Sequence, residues 1–337
     1  MRFTSLFSLP SIMANTTTTT TPVLYDALII GGGPAGLATA SALSRQLRPA
    51  VLFDSGLYRN ARAAHMHNYL GFDHVPPAEF RAKAKADLKA RYDTTTFVDR
   101  EVVSVAATAT PGIFKAVDAE GAEHYGRRVV LATGVTDMLP EIPGMDECWG
   151  RVVFHCLFCH GFEERGAVSA GILMGGMATT AAMAMHFAGM AGHLAETITI
   201  YTNGDETLTD EVVKLARNPP YQVDPRVISQ LEMLPEQKGI VLHFTTGPSV
   251  TERFVAHAPR SRVNGPFAEQ LGLEMTGTGD IKVTEPFRET TVKGVFATGD
   301  CATPIKAVAV AVAHSALTGA GVGGSCDAEP RPELSML

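Results

Sequence analysis

Apolar and polar positions alternate in blocks along this chain, and the first blocks predict a strand, a turn, a helix and a second strand. Ala27–Ile30 is a short apolar run that predicts a strand, and the glycine-rich turn 31–36 follows it. Leu37–Leu47 is rich in Ala and Leu, which favour helix. Ala50–Phe53 is a second apolar run, and it ends at Asp54. The order of these blocks predicts a β-turn-α-β unit.

The same order recurs in the middle of the chain. Ala170–Met174 predicts a strand, Ala178–Ala191 is a stretch rich in Ala and Met, and Thr197–Tyr201 predicts a further strand. A second β-turn-α-β unit is therefore expected over residues 170–204. Arg128–Ala132 predicts one more strand.

The later blocks predict both regular and irregular structure. Gly294–Asp300 predicts a strand that ends on an acidic residue, and Ala307–Gly319 predicts an apolar helix. The region 218–236 contains several prolines and shows little periodicity, which predicts a loop with a short helix. From Ser325 the chain is polar and contains proline, so we expect a tail.

The segment 1–21 is expected to be a disordered leader. Serine and proline interrupt its apolar stretch, although a secretory signal is the alternative interpretation. We find no run of about 18 apolar residues and therefore expect no transmembrane span. A cytoplasmic location follows as an expectation.

Composition agrees with two folded units and excludes some classes of binding partner. A chain of 337 residues is typical of about two domains, and we expect an α/β fold of two Rossmann-like domains with three (ββα) layers each. The formal charge of −7, from 35 acidic and 28 basic residues, excludes a basic surface for nucleic acid or anionic membrane. Five cysteines are too few for a disulfide framework, so a pair with a meaningful spacing is a candidate for function.

The first glycine-rich turn has the spacing of a dinucleotide-binding turn. Gly31 would make the tight turn, Gly33 would let the backbone approach a pyrophosphate, and Gly36 would allow close packing of helix and strand. Phosphates would lie at the helix N-terminus. Asp54, at the end of the next strand, is placed to bind a ribose hydroxyl. The alternative is a glycine-rich turn without a ligand.

Cys156 and Cys159 form the most informative pair. Two cysteines three positions apart at a helix N-terminus can form a disulfide, and the helix dipole lowers the pKa of the first thiol. The alternatives are half of a zinc site, with His155 and His160 close by, and a pair packed in the core. We favour the redox pair and expect no metal.

Three segments together resemble the FAD-contacting segments of flavoproteins with two dinucleotide-type domains: Gly31–Gly36, Ala132–Gly134 and Gly294–Asp300. The resemblance implies FAD at the first unit, with Asp300 on its ribityl chain. It also implies a division of the chain into an FAD-binding domain (22–140 plus 276–325), an NADPH-domain-like domain carrying the cysteine pair (141–275) and a tail (326–337).

The position of the cysteine pair, between the two units, resembles low-molecular-weight thioredoxin reductases. This resemblance implies that Cys159 faces the flavin C4a and that Cys156 exchanges with the substrate sulfur. The family has an acidic proton donor and acceptor directly after the second cysteine. Here that position is His160, whose ordinary pKa of about 6.5 suits exchange of thiol protons. His155 is either a further catalytic residue or a core histidine.

The second unit departs from that family. Its turn reads Gly175-Gly176-Met177, so a side chain stands where a glycine should let the pyrophosphate approach. After the next strand there is Asp205 and no arginine cluster for a 2′-phosphate. We therefore expect no NADPH here, and a unit retained as scaffold.

An FAD site and a dithiol without a reductant site resemble the fungal thioredoxin reductase-like dithiol oxidases of the gliotoxin and holomycin type. The segments that carry this resemblance are 54–56, 58–60, 65–72 and 156–161. It implies that a small-molecule dithiol is oxidised to a disulfide by O2, giving H2O2, and that the protein is a homodimer. His65 and His67 lie near the flavin in this interpretation; the alternatives are a metal-binding pair and a solvated loop.

The expected cofactor contacts come from the segments named above. They are Gly31, Gly33, Pro34, Ala35, Gly36, Asp54, Ser55, Arg59, Asn60, His67, Asn68, Thr133, Gly134, Gly299, Asp300, Lys306, Ala307 and Val308. Two other functions compete with the oxidase: an NADPH-dependent disulfide reductase of thioredoxin reductase type, and a flavin-binding regulatory protein without turnover.

Overall fold

The computed structural model describes residues 23–216 and 221–330, so the expected leader lies outside the described residues. The strands are β1 (Leu24–Ile30), β2 (Ala50–Phe53), β3 (Thr95–Val98), β4 (Val102–Ala107), β5 (Phe114–Asp118), β6 (Glu123–Leu131), β7 (Val135–Met138), β8 (Val153–Phe154), β9 (Ala167–Leu173), β10 (Ala195–Tyr201), β11 (Tyr221–Asp224), β12 (Ile228–Met233), β13 (Ile240–Phe244), β14 (Val250–Glu252), β15 (Val255–His257), β16 (Arg260–Val263), β17 (Val283–Thr284), β18 (Glu289–Thr290) and β19 (Val295–Ala297). The helices are α1 (Pro34–Ser44), α2 (Pro77–Arg91), α3 (Met145–Cys148), α4 (Leu157–His160), α5 (Ala181–Ala191), α6 (Glu206–Leu215), α7 (Phe267–Gln270) and α8 (Val308–Asp327).

The first sheet has nine strands, and its centre is parallel in the order β2-β1-β6-β19. Ile30 pairs in register with Phe53 and with Leu131, so these strands end at one edge. Their side chains are buried on both faces, which explains the continuous apolar runs in the sequence. Helices α1 and α8 cover one face. A Cβ on Gly319 of α8 would lie 2.4 Å from Cβ of Ala42, so the two helices meet closely.

The second sheet has five parallel strands in the order β11-β10-β9-β15-β8. One face packs on α5 and α6, and the other packs on the antiparallel sheet β12-β13-β14. The two sheets and the helices make three layers. The expected α/β fold of two Rossmann-like units is confirmed.

A two-stranded antiparallel ribbon, β7 with β16, connects the two units. After β16, Phe267 and Leu273 pack in the core of the first sheet. The chain thus returns to the first unit before residue 276, where we expected the boundary.

The first predicted helix and the predicted loop at 218–236 differ from the structure. The first helix is Pro34–Ser44 rather than Leu37–Leu47, because Pro34 at its first position presets the helical φ and Leu47 has a positive φ of 56°. The predicted loop with a helix at 218–236 is wrong where the structure describes it: it forms strands β11 and β12 and a 3₁₀ turn. A register shift between Ile228 and Gln230 breaks the alternation that would have marked β12. Residues 217–220 lie outside the described residues.

The predicted tail is wrong over its first residues. Helix α8 continues to Asp327 and buries Cys326. Arg127, itself buried, donates hydrogen bonds to the carbonyls of Cys326 (2.8 Å) and Glu329 (2.7 Å). The chain is therefore anchored in the first unit as far as Glu329.

Helix α8 is long and apolar enough to cross a membrane by length and composition alone, although the sequence led us to expect no transmembrane span. Its buried residues pack against α1 and the first sheet. This packing buries 33% of its apolar window.

Candidate active site

Two glycines of the first turn are required by contacts within the protein. Gly31 has a φ of +121°, and a Cβ there would lie 2.2 Å from the carbonyl oxygen of Ala132. A Cβ on Gly36 would lie 1.8 Å from the carbonyl oxygen of Gly31. Both positions bring backbone against backbone, so the turn is held tightly at the end of β1.

Gly33 is different, because nothing in the protein requires a glycine there. Its φ is −74°, which any residue adopts, and a Cβ would meet no atom within 4 Å. The open space lies at the N-terminus of α1, where free N–H groups and the helix dipole attract phosphate. The residues at this turn therefore fit the pyrophosphate of a dinucleotide.

Asp54 lies beneath the turn at the end of β2. Its carboxylate accepts hydrogen bonds from the N–H of Gly56 (3.0 Å) and the hydroxyl of Tyr58 (2.8 Å). Burial and the hydrogen bond to Asp54 raise the pKa of Tyr58 to about 12. The hydroxyl therefore stays protonated and orients the carboxylate. Tyr58 belongs to segment 58–60, which carries the resemblance to the dithiol oxidases, although no pattern in the sequence assigned a role to its hydroxyl.

The three glycine-containing segments meet in space. Ala35, Ala132 and Ala311 form one buried cluster, and a Cβ on Gly299 would lie 2.7 Å from Cβ of Ala35. Asn264 holds the turn after β6, since its amide donates to the carbonyl of Thr133 (2.9 Å) and its N–H to that of Gly134 (3.2 Å). The segments that resemble FAD-contacting segments thus share one edge of the sheet.

Asp300 lies in a 3₁₀ turn after β19 and is paired with Arg59 at 3.2 Å. The same guanidinium binds Asp137 of β7 at 2.7 Å and lies 3.5 Å from Nε2 of His155. Lys306 donates to the carbonyl of Asp300 (2.9 Å) and to the carboxylate of Asp280 (2.8 Å). Asp300 is therefore fixed by a network that reaches the segment before the cysteine pair.

The remaining expected cofactor residues lie in loops or at the starts of helices. Ser55 is exposed, and Asn60 accepts a hydrogen bond from Arg81 at 3.0 Å. Pro34 begins α1, whereas Ala307 and Val308 begin α8.

Cys156 and Cys159 are joined as a disulfide with a Cα–Cα distance of 5.2 Å. Cys156 is the N-cap of α4, a single helical turn, and both cysteines are half-buried. The other cysteines of the chain are free and buried: Cys148, Cys301 and Cys326. The two partly accessible sulfurs are thus the pair that the sequence singled out.

His155 and His160, on either side of this pair, are both held neutral. Burial, with the charge of Arg59, lowers the pKa of His155 to about 4, and the ring stacks on Trp149 at 6.0 Å. Burial lowers the pKa of His160. Neither ring nitrogen of His160 has a hydrogen-bond partner among the described residues, so it is free to accept a proton.

The loop before α2 contacts the redox segment directly. Nδ1 of His67 lies 2.7 Å from the carbonyl oxygen of Cys159, and the amide of Asn68 donates to the carbonyl of Phe158 at 2.8 Å. His65 lies farther out and stacks on His74 at 4.1 Å. His67 and Asn68 therefore hold the backbone of the redox segment.

The corresponding turn of the second unit is closed on itself. The N–H of Gly175 donates to the carbonyl of Ala178, and the N–H of Met177 donates to that of Ala258, both at 2.8 Å. Helix α5 begins only at Ala181, and its cap is the hydroxyl of Thr180, which accepts from the N–H of Met183. Two backbone N–H groups of this turn, those of Gly175 and Met177, are thus already bonded within the protein.

The end of β10 offers no free cation for a 2′-phosphate among the described residues. Asp205, which we expected to repel a phosphate, caps α6 by accepting from the N–H of Leu208 at 2.9 Å. Arg226 follows the neighbouring strand β11, but Asp224 holds its guanidinium at 2.6 Å. Nη1 of Arg226 donates to the carbonyl of Pro248 (2.8 Å).

Comparisons with known proteins agree with this arrangement. The pyridine nucleotide-disulphide oxidoreductase family matches residues 25–315. Thioredoxin reductase sirT of Leptosphaeria maculans is 42% identical, with 94% of this chain and 99% of that protein covered. Thioredoxin reductase aclD of Aspergillus oryzae is 41% identical, with 89% and 95% covered. The crystal structure of an oxidoreductase from Agrobacterium tumefaciens has a TM-score of 0.82 at 32% identity, with 91% and 100% covered.

Proposed function

Because the chain belongs to the pyridine nucleotide-disulphide oxidoreductase family, and is similar to fungal thioredoxin reductases, we propose that it is an FAD-dependent dithiol oxidase. It would close a disulfide in a small-molecule dithiol of secondary metabolism and use O2 as acceptor. The reaction balances as R(SH)₂ + O₂ → R(S–S) + H₂O₂. The family binds FAD, and the open space at Gly33 fits its pyrophosphate.

The closed turn of the second unit is the observation that carries the proposal. A disulfide reductase of this architecture needs a nicotinamide cofactor there, and its pyrophosphate needs free backbone N–H groups. Here those of Gly175 and Met177 are bonded within the protein. Electrons must then enter from the other direction, through the cysteine pair.

The cysteine pair carries out the exchange in this proposal. A substrate thiolate attacks the Cys156 sulfur, the Cys156–Cys159 bond breaks, and the second substrate thiol closes the product disulfide and releases Cys156. His160, neutral and unpartnered, takes up a thiol proton. When bound, FAD accepts the electron pair from the resulting dithiol and delivers it to O2.

Two further features are proposed from the resemblance. The protein acts as a homodimer, and it works in the cytoplasm on a small dithiol rather than on nucleic acid or a membrane. The formal charge of −7 supports a partner that is not a polyanion.

Anaerobic titration of the flavin spectrum tests the proposal. We expect a small dithiol such as dithiothreitol to bleach the flavin of the FAD-loaded protein, and NADPH to leave it oxidised. On readmission of air, one H2O2 should form per dithiol consumed. Bleaching by NADPH but not by dithiols would instead identify a disulfide reductase.

Cysteine variants complete this test. Cys159→Ser should abolish dithiol turnover and keep FAD, whereas the control Cys148→Ala, at a buried free cysteine, should keep both. Full turnover by Cys159→Ser would remove the pair from the reaction. Bound FAD with no turnover in the unaltered protein would support a regulatory flavoprotein.

A further inference from the structure

A cluster of His67, His74 and Glu163 lies beside the redox segment. Nε2 of His67 is 3.1 Å from Nδ1 of His74 and 3.2 Å from Oε1 of Glu163. Nδ1 of His74 is 3.9 Å from the same oxygen. Three atoms with lone pairs therefore converge on one point.

The other ring nitrogen of His67, Nδ1, makes a hydrogen bond that fixes where the ring carries its proton. As a result, the three converging lone pairs repel one another unless a cation lies between them. Nδ1 of His67 lies 2.7 Å from the carbonyl oxygen of Cys159, which can only accept, so Nδ1 carries the proton. In the neutral ring, Nε2 then has a lone pair that faces the carboxylate of Glu163. A proton donated by His74 would satisfy Nε2 but not the carboxylate.

We propose that His67, His74 and Glu163 bind one divalent metal ion of the zinc class. Tetrahedral zinc with bonds of about 2.0–2.2 Å has ligand atoms about 3.3–3.5 Å apart, close to the separations in this cluster. Imidazole nitrogen and carboxylate oxygen are ligands that zinc accepts. This site differs from a His65/His67 pair, because the second histidine ligand is His74.

The surroundings of the cluster support a metal site. A histidine that ligates a metal commonly donates its other N–H to a carbonyl, as His67 does to Cys159. The ring of His65 stacks on that of His74 with an interplanar angle of 15°, which orients the ligand. Side chains of His74 and Glu163 are 61% and 37% exposed, so a fourth coordination position faces solvent.

The metal would join two segments that are distant in sequence. His67 and His74 lie in the loop before α2, and Glu163 lies in the 3₁₀ turn after the redox helix α4. A bound ion would therefore fasten the redox segment to the first unit. The site does not depend on the oxidase activity and can be tested without turnover.

Equilibrium dialysis against Zn²⁺, with elemental analysis, tests the site. The tag-free, FAD-loaded protein is kept oxidised, so that Cys156 and Cys159 offer no thiolates. We expect one zinc per chain, and at least tenfold weaker binding in His74→Ala and Glu163→Gln. His186→Ala, at an exposed histidine of α5, is the matched control and should bind as the unaltered protein does.

A second measurement identifies the ligands. Co²⁺ in place of Zn²⁺ should give the visible bands of a four-coordinate ion, and Glu163→Gln, which keeps the side-chain shape, should lose them. Flavin content and circular dichroism confirm that each variant is folded. No stoichiometric metal, or binding unchanged in both ligand variants, would overturn the proposal, and a doubly protonated His67 would then explain the cluster.

Discussion

At the residue scale, the proposed role of His160 as proton acceptor depends on the protonation of its ring. Its ring is stacked on Phe154 at 5.3 Å, and burial lowers its pKa below the ordinary histidine value. The ring is therefore neutral at pH 7 and can accept a proton from a thiol. An acidic residue in this position would carry a negative charge at pH 7. The neutral histidine accepts a proton without placing that charge beside the redox pair.

The pH dependence of turnover should report this group. Because the pKa of His160 lies below about 6.5, kcat/KM for a dithiol should persist as the pH falls through 6.5 and be lost only at more acidic pH. His160→Asn should lower kcat/KM by about 10²–10³-fold and remove that acid limb. The control is His193→Asn, at an exposed histidine. An unchanged acid limb in His160→Asn would assign the titration to another group.

At the element scale, the chain contains two glycine-rich turns with different outcomes. In the first, helix α1 starts directly after Gly33 and the space at its N-terminus is open. In the second turn, α5 starts only at Ala181, after the glycines, and the N–H of Met177 donates to the carbonyl of Ala258. A helix that begins at the glycine turn offers its free N–H groups to a ligand, whereas a turn bonded to itself does not.

Alanine at two glycines of the first turn should separate cofactor binding from folding. Gly33→Ala should leave the apoprotein within about 1 kcal/mol of the unaltered stability, because φ and space allow a Cβ. It should nevertheless weaken FAD binding by about tenfold or more, which is about 1.4 kcal/mol. Gly36→Ala should destabilise the fold by about 3 kcal/mol, since its Cβ would lie 1.8 Å from the Gly31 carbonyl oxygen.

Flavin-to-protein ratio and urea unfolding of the apoprotein measure these two effects. Gly189→Ala, within α5, is the control: it should leave the flavin ratio unchanged and should not lower stability, because alanine favours helix and the added Cβ has room. Normal FAD affinity in Gly33→Ala would show that no pyrophosphate lies against this turn.

At the scale of the whole molecule, the C-terminal residues close the first unit. Arg127 and Arg128 lie on β6 with their guanidinium groups buried. Arg128 donates to the carbonyl of Ser325 at 2.6 Å and pairs with the carboxylate of Glu329 at 2.8 Å. Glu329 is the charged partner of Arg128, whereas Arg127 also pairs with the buried carboxylate of Asp26 at 3.3 Å.

Truncation should therefore have a sharply position-dependent effect. Deleting 326–337 removes two carbonyl partners of Arg127, which keeps its ion pair with Asp26, and removes the carboxylate of Glu329 from Arg128. Among the described residues Arg128 then has no charged partner, and an unpaired buried charge costs about 3–5 kcal/mol. Deleting only 331–337 keeps each of these contacts and should be neutral. Urea unfolding followed by circular dichroism compares the two. Equal stabilities would show that the arginines find other partners.

Local patterns predicted much of the fold and part of the site. Strand β2 was predicted with its observed bounds, because it is an uninterrupted apolar run buried on both faces. The roles of Gly31 and Gly36 followed from their spacing, since the turn between a strand and a helix is a local structure. Strand β12 was missed because its register shift hides the alternation.

The structure added contacts that no local pattern encodes. Arg59 is 78 positions from Asp137 and 241 from Asp300, so only the folded chain brings the three together. The hydrogen bond between His67 and the carbonyl of Cys159 joins residues that are 92 positions apart. Asp137, His74 and Glu163 entered the site in this way.

The sequence by itself determined the two α/β units, the open first turn and the cysteine pair. Each of these depends on residues within one or two elements, whose period and spacing are written directly in the chain. Only the tertiary structure decided that the second turn is closed, that Asp205 is a helix cap and that the end of α8 is an anchor. Hydrogen-bond partners from distant strands decide these features, and burial then sets the charge of His155 and His160.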